Sequence, residues 1–130
     1  MNNTKICVIG AGRWGINHIK TLLELGALGG VVDIDLEKIS SIKENYPKVK
    51  FFENVNEAIK ENFDGFVVAT PPNTHFEITR SVLYNNKPVL VEKPLTLSLK
   101  EGQKIKAISD KLNGTLMVGH LLLFHPAIEK

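Results

Sequence analysis

Short runs of apolar and β-branched residues alternate along this chain with longer stretches in which apolar positions recur every three or four residues. The first run, Ile6-Cys7-Val8-Ile9, is apolar throughout, which predicts a central strand covered on both faces. Residues 10–15 then lead into a predicted helix with the stripe Ile16, Ile19, Leu22 and Leu23, which Gly26 and Gly29-Gly30 are expected to end. Val31-Val32 reads as the core of a second strand. A second helix carries Leu36, Ile39, Ile42 and Tyr46 between an Asp35 cap and a stop at Pro47. Val49 to Phe52 reads as a short third strand. Asn54 with Glu57 has the form of a capping box for a brief helix through Ile59, and Phe66 to Ala69 supply a fourth strand. Thr74 with Glu77 repeats that signal ahead of Ile78, Val82 and Leu83. Pro88 to Val91 give a fifth strand, Ser98 with Glu101 opens a helix bearing Ile105, Ile108 and Leu112, and Leu116-Met117-Val118 give a sixth. Such an alternation predicts an α/β fold, a doubly wound parallel sheet of about six strands in a three-layer α/β/α arrangement.

Composition narrows the possibilities. With 130 residues, 43% of them hydrophobic and 23% charged, the chain is expected to form one ordinary domain. Its single Cys7 leaves no disulfide framework and suits a reducing compartment, and its place within a buried strand marks it as a small core residue. Lys and Arg number 16 against 14 Asp and Glu, a formal charge of +2 without a basic run or basic–aromatic interleaving, so nucleic acid is not an expected partner. The apolar run after Lys5 is too short for a signal-peptide core or a membrane span, which leaves a cytoplasmic protein as the expectation. No metal site is expected.

Candidate chemistry begins at Gly10-Ala11-Gly12-Arg13-Trp14-Gly15, directly after a predicted strand and opening a predicted helix, the context of a Rossmann phosphate-binding turn. Gly10 would permit the tight turn, Gly12 the approach of a pyrophosphate, and Gly15 the close packing of helix on strand. The N–H groups and positive end of that helix would face the phosphates. Asp33, at the end of the second strand, stands where an acid accepts hydrogen bonds from the adenine ribose hydroxyls. The same charge would repel a 2′-phosphate, and Ile34 follows it where a cation or serine would favour one, so NAD is expected in preference to NADP. Arg13 and Trp14 either flank the pyrophosphate and nicotinamide or lie on the solvated rim of the turn. The fourth and fifth strands end in Ala69-Thr70-Pro71-Pro72-Asn73-Thr74-His75 and Val91-Glu92-Lys93-Pro94, and both turns should open on the same crevice as the glycine loop. There an amine at Lys93 could hydrogen-bond the alcohol or ketone oxygen of a substrate and stabilise a developing alkoxide, although a lysine beside a glutamate is also often a solvated pair.

Taken together, Gly10-x-Gly12-x-x-Gly15, Asp33, Ala69-Thr70-Pro71-Pro72-x-x-His75 and Glu92-Lys93-Pro94 resemble the N-terminal half of the Gfo/Idh/MocA family, relatives of glucose–fructose oxidoreductase and inositol dehydrogenase, over nearly the whole chain. The resemblance implies an NAD(P)-dependent enzyme acting on a sugar or polyol carbon, with Lys93 near substrate and nicotinamide. It also implies that Thr70, Pro71, Asn73, His75 and Glu92 lie around the cofactor. Where members often carry paired arginines after the sixth strand, this chain has Leu122-Leu123, so a polar contact there is absent. The form Gly119-His120-x-x-x-Phe124-His125-Pro126 is closer to relatives that oxidise nucleotide-linked sugars. The family's catalytic Asp and His belong to a C-terminal α/β domain to which nothing here corresponds, and His120 and His125 read as structural.

The expected organisation is therefore a cofactor-binding domain over residues 1–124 and, over 125–130, the start of a crossover into an absent substrate domain. Through that second domain a full-length protein is expected to form homo-oligomers. The expected activity is hydride transfer between nicotinamide and a hydroxyl-bearing carbon of a sugar, polyol or nucleotide sugar, with little or no turnover from this chain alone. The alternative is a non-catalytic module that senses NAD or a nucleotide sugar and regulates a partner.

Overall fold

The structure, a computed structural model, describes residues 3–128, without the side chain of Leu122. Six strands, β1 (Ile6–Ile9), β2 (Leu28–Val32), β3 (Lys50–Phe52), β4 (Gly65–Val68), β5 (Val89–Glu92) and β6 (Leu116–Gly119), form one sheet in the order β3-β2-β1-β4-β5-β6. Every pair in it is parallel. The helices are α1 (Arg13–Glu24), α2 (Leu36–Asn45), α3 (Val55–Ile59), α4 (His75–Tyr84) and α5 (Leu99–Leu112). This is the strand order of a dinucleotide-binding sheet, whose direction of winding reverses between β1 and β4 and opens a crevice at their carboxyl ends.

Side chains one residue apart on a strand point to opposite faces, so each strand feeds two cores. Cys7, Ile9, Phe66, Val68, Val89 and Val91 pack with Val82, Leu83 and Ile105 of α4 and α5. Val8, Val31 and Val67 pack with Ile19 and Ile39 of α1 and α2. Burial pushes the Cys7 thiol up from its usual range, which leaves it a core residue with no thiolate chemistry. On the α1 side, the described residues cover β5 and β6 only with the flank of α1, and Met117 is 52% exposed there. The chain then passes through a 3-10 turn, Leu121–Phe124, with Leu121 and Phe124 exposed. Of the expected crossover at 125–130, Glu129 and Lys130 lie outside the described residues.

Two expectations about the elements are corrected. Gly29 and Gly30 do not end the first helix, which stops at Glu24 with Gly26 turning the chain at φ +66. They lie inside β2 because the Phe63 ring occupies the space above them, and a Cβ on Gly30 would stand 2.6 Å from Phe63 Cζ. Thr74 is not a side-chain cap: it ends a 3-10 turn, Pro72–Thr74, and its hydroxyl donates instead to Pro71 O at 2.6 Å. Asp35, Asn54 and Ser98 do cap their helices, accepting from Glu37 N, Asn56 N and Glu101 N.

Candidate functional site

The loop between β1 and α1 is shaped by its glycines. Gly10 adopts φ +99 and lies so close to the end of β4 that a Cβ there would meet Ala69 O at 2.8 Å. A Cβ on Gly15 would fall 1.8 Å from Gly10 O, so α1 can begin in this position only without a side chain there. Gly12 differs: a Cβ on it would meet nothing within 4 Å. The loop therefore keeps open space above its middle glycine, at the end of a helix with no side-chain cap and no acid in its first turn. The first N–H groups of a helix have no intrahelical partner, and here they border that space.

Asp33, half-buried just beyond β2, reaches back across this loop. Its Oδ2 accepts from Ala11 N at 2.8 Å and its Oδ1 from Asp35 N at 2.8 Å, so each oxygen retains capacity for a further donor. Asp35 is occupied in capping α2, and Ile34 is 89% exposed.

The remaining turns join this one along the carboxyl edge of the sheet. Ala69 N donates to Ile9 O at 2.8 Å, binding the β4 turn to the glycine loop. Thr74 already donates its hydroxyl proton to Pro71 O, so Thr70 is the donor in the 2.6 Å contact between their hydroxyls. Pro71 and Asn73 are exposed on this turn. His75 is only 1% exposed, with Nδ1 2.7 Å from Pro94 O and Nε2 2.8 Å from Thr70 O. Carbonyls only accept, so the ring donates to both when it carries two protons. His75 thus ties the β4 turn to the β5 turn from below rather than facing the crevice.

At the β5 turn the Lys93–Pro94 peptide is cis, and Lys93 is exposed. Glu92 Oε1 lies 2.6 Å from His18 Nε2 of α1. An apolar groove of about 990 Å³ runs between α1 and the uncovered face of β5 and β6, lined among others by Trp14, His18, Glu92, Lys93, Met117 and His120. Trp14 therefore stands on the Lys93 side of the loop, 46% exposed, whereas Arg13 is exposed and is not among the groove's lining. His125 accepts from Ala127 N at 3.1 Å, a contact within its own turn. Among the described residues, no cluster of three or more His, Cys, Asp or Glu is placed to hold a metal, and no helix is long and apolar enough to cross a membrane. The sequence reading missed His18, whose position on α1 carries no motif.

Strand order, glycine loop and the acid after β2 define a dinucleotide-binding Rossmann domain. A model of the oxidoreductase family described as GFO_IDH_MocA, NAD-binding Rossmann fold, matches residues 4–120, and the chain belongs to that family. It is 28% identical over 122 residues to the UDP-N-acetylglucosamine 3-dehydrogenase of Acidithiobacillus ferrooxidans, covering 94% of this chain and 38% of that protein. It is 31% identical over 125 residues to the inositol 2-dehydrogenase of Arthrobacter sp. strain FB24, covering 92% and 37%. Among solved structures, GenD2 from gentamicin A biosynthesis in complex with NAD superposes with a TM-score of 0.87 at 27% identity, covering 97% of this chain and 37% of that one. The chain thus spans less than two-fifths of the length of these relatives.

Proposed function

We propose that this chain is the cofactor-binding half of an NAD-dependent dehydrogenase that transfers a hydride between the nicotinamide and a hydroxyl-bearing carbon of a sugar, polyol or nucleotide sugar. The observation that carries the reading is the open space above Gly12, with the Asp33 carboxylate held beside it by Ala11 N. Those residues fit a dinucleotide: the loop N–H groups would take the pyrophosphate and Asp33 the adenine ribose hydroxyls. NAD itself supplies the hydride acceptor or donor.

Asp33 favours NAD over NADP, since a 2′-phosphate would meet a like charge and the exposed Ile34 offers no cation to offset it. Thr70, Pro71 and Asn73 form the wall of the crevice nearest the β5 turn, with His75 beneath it and Glu92 at its edge. Trp14 borders the nicotinamide side and Arg13 the rim. Lys93 acts as the catalytic residue, its ammonium donating to the carbinol oxygen and stabilising alkoxide character as the hydride leaves or arrives. The substrate domain that the relatives' greater length allows for would enter by the crossover at 125–130, pack over the apolar groove, complete the sugar site and carry the contacts of a homo-oligomer. The sugar or nucleotide sugar is the small-molecule partner, and a cytoplasmic location agrees with the single buried thiol.

Titration calorimetry with Asp33→Ala tests the reading. A hydrogen bond to a charged group contributes about 1.5–3 kcal/mol, so NAD affinity should fall roughly 10- to 100-fold. A thermal melt checks that the loop survives the loss of the Ala11 contact. Unchanged affinity in a folded variant would overturn the assignment.

A further inference from the structure

We infer that His18 is a positioning residue for Lys93, acting through Glu92; the inference rests on the proposed role of Lys93 and names what holds it in place. The turn Glu92-Lys93-Pro94 is tethered on both sides of the sheet by histidines. On the α4 side, His75 Nδ1–H donates to Pro94 O at 2.7 Å. On the α1 side, His18 Nε2–H donates to Glu92 Oε1 at 2.6 Å, with the two side chains only 24% and 17% exposed. Lys93 lies between these tethers, and its ammonium makes no hydrogen bond or ion pair among the described residues. The backbone position of Lys93 is therefore set by its neighbours.

Three features separate this pair from a surface ion pair of negligible effect. It is largely withdrawn from water, at the base of the groove that Lys93 lines. Its carboxylate lies against the neighbouring strand: Glu92 pairs in register with Gly119, and a Cβ there would make ordinary van der Waals contact, at 3.4 Å, with the Glu92 carboxylate atoms. It also bridges α1 to the end of the sheet that borders the open groove, where the partly buried Leu90 of β5 packs against the α1-side cluster. A carboxylate free to swing there would let the Lys93 turn shift, and a displacement of about 1 Å from productive geometry costs on the order of a hundredfold in rate.

The experiment compares His18→Phe, which keeps ring volume and loses the donor, with His18→Gln, which restores a donor, each alone and with Glu92→Gln. Steady-state kinetics in a dehydrogenase carrying this chain should show kcat about 10- to 100-fold lower for His18→Phe, with KM for NAD within about twofold. His18→Gln should recover kcat to within about threefold, and His18→Phe should add little once Glu92 is Gln. An unaltered kcat in His18→Phe, or its full penalty persisting beside Glu92→Gln, would overturn the inference. Amide resonances of Lys93 and Leu95 in the present chain provide an independent arm. They should move in His18→Phe and return in His18→Gln, and no movement also overturns it. Absence of hydride transfer in the parent enzyme would instead defeat the reading of function, leaving the resonances to decide whether the pair holds the turn.

Discussion

Gly12 and Gly15 stand three positions apart in one loop, yet the space around them assigns opposite consequences to the same substitution. Gly15→Ala places a methyl 1.8 Å from Gly10 O, a clash with backbone that no rotamer relieves. It should lower stability by at least about 3 kcal/mol, read by urea unfolding. Gly12→Ala places a methyl in open space at an extended backbone conformation, φ −75 and ψ −162, which alanine adopts. Its stability should stay within about 1 kcal/mol of the parent, while NAD affinity falls at least about tenfold because the methyl stands where the pyrophosphate must approach. A Gly12→Ala protein that binds NAD normally would place the cofactor elsewhere. The glycine spacing and the division of roles among the three were legible in the sequence; the contacts that enforce it, Ala69 O beside Gly10 and Gly10 O beside Gly15 with open space at Gly12, belong to the folded chain.

At the scale of elements, the strands read well from apolar runs because the sheet is covered by helices and its central members need no polar face. The errors fell where tertiary contacts override local signals. Gly29-Gly30 reads as a stop, but Phe63, more than thirty positions along the chain, packs onto them and makes them strand. Thr74 and Glu77 have the spacing of a capping box, but Pro71 O captures the threonine hydroxyl first. The resemblance implies that His75 lies around the cofactor, and the fold buries it as the link between the β4 and β5 turns. Replacing it with Ala would remove the ring that links Pro94 O to Thr70 O and leave a cavity at a site only 1% exposed. Urea unfolding of His75→Ala should therefore show a loss of roughly 3 kcal/mol or more. A loss below about 1 kcal/mol would mean that the two turns hold without the link.

For the whole molecule, the described residues cover the two faces of the sheet unequally. α4 and α5 cover β4 to β6 on their face, whereas the opposite face of β5 and β6 ends in an apolar groove beside Lys93. In the proposed reading, the glycine loop and Asp33 serve adenosine and pyrophosphate, and the Lys93 turn supplies one wall of the sugar site. Fluorescence titration should find NAD binding by the 130-residue chain, while an NADH-absorbance assay over a panel of sugars and polyols finds little or no turnover. Robust turnover by this chain alone would show that the wall is sufficient and the proposed division of labour is wrong.

The sequence by itself determined the order of elements, the glycine loop and the acid after the second strand, because each is written in neighbouring residues: an apolar run, a spacing, a cap. Tertiary structure alone decided that Gly12 borders open space and that His75 and His18 reach the Lys93 turn from opposite faces. Those relations join residues far apart in the chain, 74 positions in the case of His18 and Glu92, and only the closure of a parallel sheet brings them within a hydrogen bond.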